Sequence, residues 1–397
     1  MLSCGSDGAV RAWAASDGRL SAEVAVGGEG ADHAADGAAV VQCVAACAVG
    51  RRGGATSPDA AMAAAACGAS VTTLRRHSAK PGALEACGRR PKLPSVVTDL
   101  CFTPAGEDGT SVLSLAAATL HSGAFVWVGE ALRDACAPPA LHLACAGAIQ
   151  TVAPIASCGA TLPGGFVGRC GDRSVRLWSA PPMEAGGARD GAIDDAPDGA
   201  HAAAEAIAPM ITPMTLGGLS AGPRSGTQVA TAALLPAPRE ASDAPSDDVA
   251  AETLLVMADG AAGLVSWRLA AELTQPRGAE DEALGVDSRR AGRTALPQAQ
   301  RVHCIALRPT TPTTLACGAD DGAAWLLSLE SPRDGPHASA HAEAPRWGAA
   351  RQLVVRTATA AMGAARAPAV VQLTWSADGE WLYAGTADGS VHAVRRP

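Results

Sequence analysis

The chain has 397 residues, 48% of them hydrophobic, and a formal net charge of −8. That length holds one to three domains with ample material for a core, while the acidic balance and scattered basic pairs (Arg51-Arg52, Arg75-Arg76, Arg89-Arg90, Arg289-Arg290) argue against a nucleic-acid-binding face. No apolar run approaches the roughly 18 residues of a membrane-spanning helix, and MLSCGSDGAVRAW lacks the charged and apolar regions of a secretory signal, so a cytoplasmic or nuclear protein without membrane insertion is expected, its twelve cysteines reduced.

In chain order, Leu2 to Cys4 ends a strand, Asp7-Gly8 turns the chain, Ala9 to Trp13 returns it, and Leu20 to Val26 forms a short outer strand. The chain thus begins in the middle of a unit. Val40 to Val49, Ala63 to Cys67 and Ser70 to Leu74 make a second unit, and Val96 to Phe102, Val112 to Ala118 and Ala124 to Val128 a third. The fourth runs through Ala148 to Ile155, Gly165 to Cys170 and Ser174 to Ser179. Residues 180–225 lose all periodicity and predict a mobile acidic insertion.

Gln228 to Leu235, Thr253 to Met257 and Gly263 to Leu269 form the fifth unit, and a charged insertion is expected at about 276–300. The sixth is Val302 to Leu307, Thr314 to Cys317 and Ala324 to Leu329, then a linker at 331–350 and a strand from Gln352 to Arg356. The seventh, Val370 to Val394, is the most complete: a two-residue alternation, the turn Asp378-Gly379, Trp381 to Gly385, the turn Asp388-Gly389 and a last strand. Three antiparallel strands cannot bury both faces alone, so each unit must stack on others like itself. The third strands recur near residues 9–13, 70–74, 124–128, 174–178, 263–267, 323–327 and 390–394.

These units resemble the WD-repeat β-propeller family. Leu2-Ser3-Cys4-Gly5-Ser6-Asp7-Gly8-Ala9-Val10-Arg11-Ala12-Trp13 fits most of its pattern, as do Cys170 to Ser179, Cys317 to Gly322 and Ala384 to Val391. No repeat keeps a literal Trp-Asp pair: Trp13, Trp127, Trp178 and Trp267 precede Ala, Val, Ser and Arg, and the Gly-His dipeptide is absent. The apolar content is mostly Ala and Val beside 44 Gly and 27 Pro, a drift that erodes such motifs. The resemblance implies an all-β fold, a seven-bladed WD-repeat-like β-propeller forming a single domain over residues 1–397. Its first and last blades are incomplete, which predicts an open or strained junction between residues 1–26 and 370–397. Without the family's polar network, stability should rest on packing between blades.

Little else in the chain points to chemistry. Cys4, Cys67, Cys170 and Cys317 each precede a Gly at what reads as one register, and neither they nor Cys43 and Cys47 have metal-ligand spacing. Gly218-Leu219-Ser220-Ala221-Gly222 matches a hydrolase elbow, but Pro223 follows where a helix is needed. Gly27 to Gly30 is too short for a phosphate-binding loop. His303 and His392 read as strand residues, and Asp194-Asp195 and Glu280-Asp281-Glu282 as solvated loops. Neither catalytic residues, metal nor cofactor are predicted. The turn aspartates Asp7, Asp172, Asp321 and Asp388 are structural by expectation, accepting hydrogen bonds from turn amides. Arg11 and Arg176 occupy matching third-strand positions where a partner could meet them.

The resemblance therefore implies a non-enzymatic scaffold that binds peptides or other protein subunits. The sixth unit, Val302 to Pro309 and Leu315 to Gly322, looks like a blade of the small propeller nucleoporin of the nuclear pore outer ring. Dynein intermediate chains are similar there. Ubiquitin-ligase substrate receptors, histone-tail readers and propeller enzymes are the remaining alternatives.

Overall fold

Short runs of Val, Ala, Leu and Trp closed by Gly-containing turns fold as hairpins, because alternate side chains take opposite faces and the turns bring the ladders back on themselves. The computed structural model describes residues 1–5, 7–14, 19–26, 41–48, 61–76, 84–90, 92–103, 113–132, 134–145, 147–155, 165–172, 174–179, 210–211, 214–216, 229–234, 252–258, 263–269, 292–296, 301–311, 313–330, 347–348, 351–354, 367–376 and 378–395. They form seven small, chiefly antiparallel sheets, with no α-helix among the described residues. The chain divides into two compact units, Met1–Ala148 with Ala180–Thr212 and Ile149–Ser179 with Pro213–Pro397.

In the first unit, sheet one is β1 (Leu2–Cys4), β2 (Ala9–Trp13) and β3 (Leu20–Ala25), in that order. Sheet two is β4 (Val41–Ala48), β5 (Ala61–Cys67), β6 (Ser70–Arg76) and β7 (Leu84–Arg89). Sheet three is β8 (Val97–Thr103), β9 (Ser114–Thr119), β10 (Ala124–Val128) and β11 (Leu141–Leu143), with a single 3-10 turn at Gly129–Leu132 after β10.

In the second unit, β12 (Ile149–Ile155), β13 (Gly165–Cys170) and β14 (Val175–Ser179) begin sheet four. Two short strands follow: β15 (Met210–Ile211), which belongs to the first unit and pairs parallel with β11, and β16 (Met214–Leu216), which completes sheet four beside β14. Sheet five is β17 (Val229–Leu234), β18 (Glu252–Ala258), β19 (Gly263–Leu269) and β20 (Gly292–Ala295). Sheet six is β21 (Val302–Leu307), β22 (Thr314–Ala319), β23 (Ala323–Ser328) and β24 (Arg351–Val354), and sheet seven β25 (Val370–Trp375), β26 (Trp381–Thr386) and β27 (Val391–Arg395). Sheets one and seven have three strands each and the others at least four, among the described residues.

The predicted insertions hold some regular structure: β15 and β16 lie within 180–225, β20 within 276–300, and Trp347 bridges to Leu329 within 331–350. Strands of two to four residues are too short to show an alternation. Most other residues of those segments are outside the described ones.

One irregularity repeats. The ladder between first and second strands slips by a residue at Val41/Cys43, Val97/Asp99, Ile149/Thr151, Val302/Cys304 and Val370/Gln372. A bulge of this kind sharpens twist and bends the strand, and here it also serves as a register mark. Facing its first residue are Cys67, Thr119, Cys170, Ala319 and Thr386. The cysteines that precede glycines therefore do not share one register: Cys67 and Cys170 do, whereas Cys317 stands two positions earlier than Ala319. Turn length does not cause the mismatch, since Cys170 meets Ser174 across three residues and Ala319 likewise faces Ala323 across three; in sheet six the Cys-Gly pair simply stands two residues further from the turn.

Among the described residues, four apolar clusters bridge neighbouring sheets within a unit. Val10 and Val26 of the sheet-one region pack with Ala63, Ala65 and Leu74 of sheet two, and Ala64, Ala66 and Val71 pack with Leu100, Leu115 and Trp127 of sheet three. Leu254 and Val256 of sheet five meet Val302, Leu315 and Trp325 of sheet six, and Cys304 and Ala316 meet Val370, Leu373 and Leu382 of sheet seven. The second strands carry this packing with small side chains: Ala63 to Ala66 and Ala116 to Ala118 are all buried.

Candidate interaction surface

The turns between second and third strands expose the chain's most regular polar geometry. In four of them an aspartate Oδ1 accepts the amide two residues on: Ala9 N–H to Asp7 at 3.2 Å, Ser174 to Asp172 at 2.9 Å, Ala323 to Asp321 at 3.0 Å and Ser390 to Asp388 at 3.0 Å. Gly8, Gly322 and Gly389, each following its aspartate, take φ of 77°, 77° and 82°, a left-handed turn that a side chain would strain. Glu380 N–H donates to Asp378 at 3.0 Å in the turn between β25 and β26.

Further donors hold the carboxylates of Asp7, Asp172 and Asp388 ionised. The Thr386 hydroxyl, then the Ser390 amide, keeps Asp388 below the ordinary carboxylate range, and the Arg11 guanidinium, then the Ala9 amide, does so for Asp7. Burial pushes Asp172 upward, but the Ser174 hydroxyl and amide with Arg176 outweigh it and the net shift is down. A carboxylate lowered in this way is an acceptor at neutral pH and a poor proton donor.

Arg11 and Arg176, the two matched arginines, fold back on their own turns. Arg11 bonds Asp7 and reaches Glu23 of β3 at 3.1 Å, and Arg176 donates to Asp172 at 2.8 Å and to Ser174 Oγ at 3.1 Å. Cys101, Cys170, Cys304 and Cys317 are buried, and burial raises the thiols of Cys101, Cys304 and Cys317. His303 is half-buried, and burial with nearby Arg301 lowers its proton affinity. Among the described residues no three of His, Cys, Asp or Glu stand close enough to hold a metal ion. Gly218 to Gly222, Gly27 to Gly30, Asp194-Asp195, Glu280 to Glu282 and the side chains of Cys43 and Cys47 lie outside the described residues.

Two buried arginines had no signal in the sequence. Arg90, 2% exposed, lies 4.8 Å over Trp127 and donates to the carbonyls of Ala131 (2.9 Å), Leu132 (3.0 Å) and Asp134 (3.2 Å), joining sheets two and three. Arg308 joins sheets six and seven: Nε donates to Gly379 O at 2.8 Å, Nη2 to Glu380 at 3.3 Å, and the guanidinium stands 5.8 Å from Trp375, whose Nε1 donates to Ala306 O at 3.1 Å. Packing between sheets is thus supplemented by polar clasps, made by arginine and tryptophan instead of the missing histidine network. Arg90 reads as half of a surface basic pair and Arg308 as the residue before a turn, which is why sequence reasoning passed over both.

No helix among the described residues is long and apolar enough to cross a membrane. Residues 363–393, which contain sheet seven, match the family described as WD domain, G-beta repeat. No curated protein matches the chain. A solved structure of U3-55K is similar over 97% of this chain and 84% of its own, at 12% identity and a TM-score of 0.49. Residues 363–393 are thus read as a WD repeat, and the seven small, chiefly antiparallel sheets are consistent with a divergent WD-repeat propeller.

Proposed function

We propose that the chain is a non-enzymatic scaffold that holds other protein subunits or peptides within a multisubunit complex. The observation that carries this reading is the WD repeat at residues 363–393 on a plan repeated in seven sheets. The turn carboxylates support it: they accept hydrogen bonds from their own turn amides, an arrangement that shapes a surface. The resemblance of Val302 to Gly322 to a blade of the small propeller nucleoporin makes the nuclear pore outer ring the first assembly to test. A cytoplasmic or nuclear location accompanies this proposal.

The test is affinity capture from the source cell followed by mass spectrometry. Co-purifying pore subunits support the outer-ring reading, whereas motor subunits, ubiquitin-ligase subunits or histone tails would each replace it while keeping the scaffold. A preparation that turns over a small substrate and retains no protein partner would overturn the proposal.

A further inference from the structure

Six of the seven third strands have a fourth strand beside them: β2 has β3, β6 has β7, β10 has β11, β14 has β16, β19 has β20 and β23 has β24. β27 pairs with β26 alone, among the described residues. Thr386 N–H donates to Ser390 O, so the antiparallel alternation turns the amides and carbonyls of residues 390, 392 and 394 toward β26. Those of Val391, Ala393 and Arg395 point outward. In sheet one the same outward positions are filled, Ala14 N–H bonding Arg19 O and Val26 N–H bonding Gly8 O.

The filled edges also show which side chains a fourth strand brings. Arg11 on β2 faces Glu23 of β3 and bonds it, Arg75 on β6 faces and bonds Glu85 of β7, and Phe125 on β10 stacks on His142 of β11 at 4.7 Å. The register mark aligns Ala66 with Gly385, hence Val71 with Val391 and Arg75 with Arg395. It likewise places His392 where β10 carries Phe125. Among the described residues, β27 therefore holds the third-strand half of an arginine–glutamate cross-strand pair without a strand to supply the other half, its Arg395 guanidinium 6.0 Å from the Trp381 ring.

We propose that β27 takes up one extended strand of a partner protein, antiparallel and with a carboxylate facing Arg395. Main-chain hydrogen bonds to Val391, Ala393 and Arg395 supply affinity, and the ion pair fixes register. This rests on the scaffold reading and specifies where one of its partners attaches.

The probe is a fluorescein-labelled peptide of residues 83–90 carrying Cys87→Ser and Arg89→Glu, which sets Glu85 across from Arg395. Its control adds Glu85→Lys. Anisotropy titration of the full chain should show binding of the first peptide. Arg395→Glu should weaken it about three- to tenfold, the range of an exposed pair turned from attraction to repulsion, and should strengthen the control peptide. Ala393→Pro removes an outward amide without touching the β26 ladder and should abolish binding of both, with the circular dichroism spectrum kept. Equal binding of both peptides to wild type and Arg395→Glu overturns the proposal, as does no binding up to about 1 mM. A dimer in sedimentation that Ala393→Pro dissolves assigns the edge to a second copy and also overturns it. If wild type and Ala393→Pro capture the same partners from the cell, the scaffold stands and the edge proposal falls.

Discussion

Replacing Arg90 by methionine tests whether a buried guanidinium holds sheet two to sheet three. Methionine keeps much of the apolar stem, so the loss isolates the charged head. That head makes three hydrogen bonds to carbonyls between 2.9 and 3.2 Å and lies 4.8 Å over Trp127. Charge-assisted hydrogen bonds contribute about 1.5–3 kcal/mol each at most, but these three share one cation and its desolvation, so they are counted together at about 3 kcal/mol. A desolvated cation–π contact adds about 1–2 kcal/mol. Burial already opposes the charge, lowering its proton affinity, and removing the cation recovers some of that cost, about 1–2 kcal/mol. The net loss is about 3 kcal/mol. Urea unfolding followed by circular dichroism measures it, and hydrogen exchange over residues 129–143 localises it, since the 3-10 turn and β11 lose their anchor. Arg90→Lys should fall between wild type and Arg90→Met, because an ammonium cannot reach three carbonyls and cover the ring together. A loss under about 0.5 kcal/mol, or faster exchange spread evenly over the molecule, would refute the clasp.

Gly318→Ala should destabilise by about 1–3 kcal/mol through overpacking, because its new Cβ would meet Cys304 Sγ at 2.5 Å and Val370 Cγ1 at 2.6 Å across sheets six and seven. Denaturant midpoints measure this, and pairing it with Val370→Ala should recover some of the loss. Among the described thiols, Cys136 should react first with a thiol-specific reagent and Cys101, Cys304 and Cys317 only on unfolding, as peptide mass mapping over time would show. Acid should find the turns: Asp7, Asp172, Asp378 and Asp388 are all held below the ordinary carboxylate value, so their contribution is complete above about pH 4 and lost as pH falls through their lower folded values. Stability measured against pH should decline less steeply below about pH 4 in Asp388→Asn; a decline centred near pH 6 would point to other groups.

The third strands were legible because each pairs an apolar run with a turn signal just before it. Ala9 to Trp13 follows Asp7-Gly8 and Ala323–Ser328 follows Asp321-Gly322, and the structure places β2 and β23 there. Two outer strands, β3 and β24, were also expected at Leu20 to Val26 and Gln352 to Arg356, but the others carry no such signal. β7 reads LEACGR, β11 LHL and β16 MTL, fragments that become strands only because a third strand offers them a ladder. Register was hidden for a related reason: Cys67 and Cys317 have the same neighbour in sequence, but Cys67 ends its strand whereas Cys317 stands two residues before the end of its own. The clasps were invisible because a buried arginine and a solvated one are spelled alike. Arg90 gains its role from carbonyls more than 40 residues downstream.

The alanines of the second strands change what kind of error this protein tolerates. Ala64, Ala65 and Ala66 have no exposed surface, nor do Ala116, Ala117 and Ala118. A core of leucines fails by subtraction, because a truncated side chain leaves a void. Here a lost methyl group empties little space, whereas any added group must push neighbouring sheets beyond the alanine distance at which they now meet. Damage should thus follow the volume gained at these positions. A drift toward alanine and glycine is the direction of change they are built to survive, and a return to valine or leucine at a single site is the costly one.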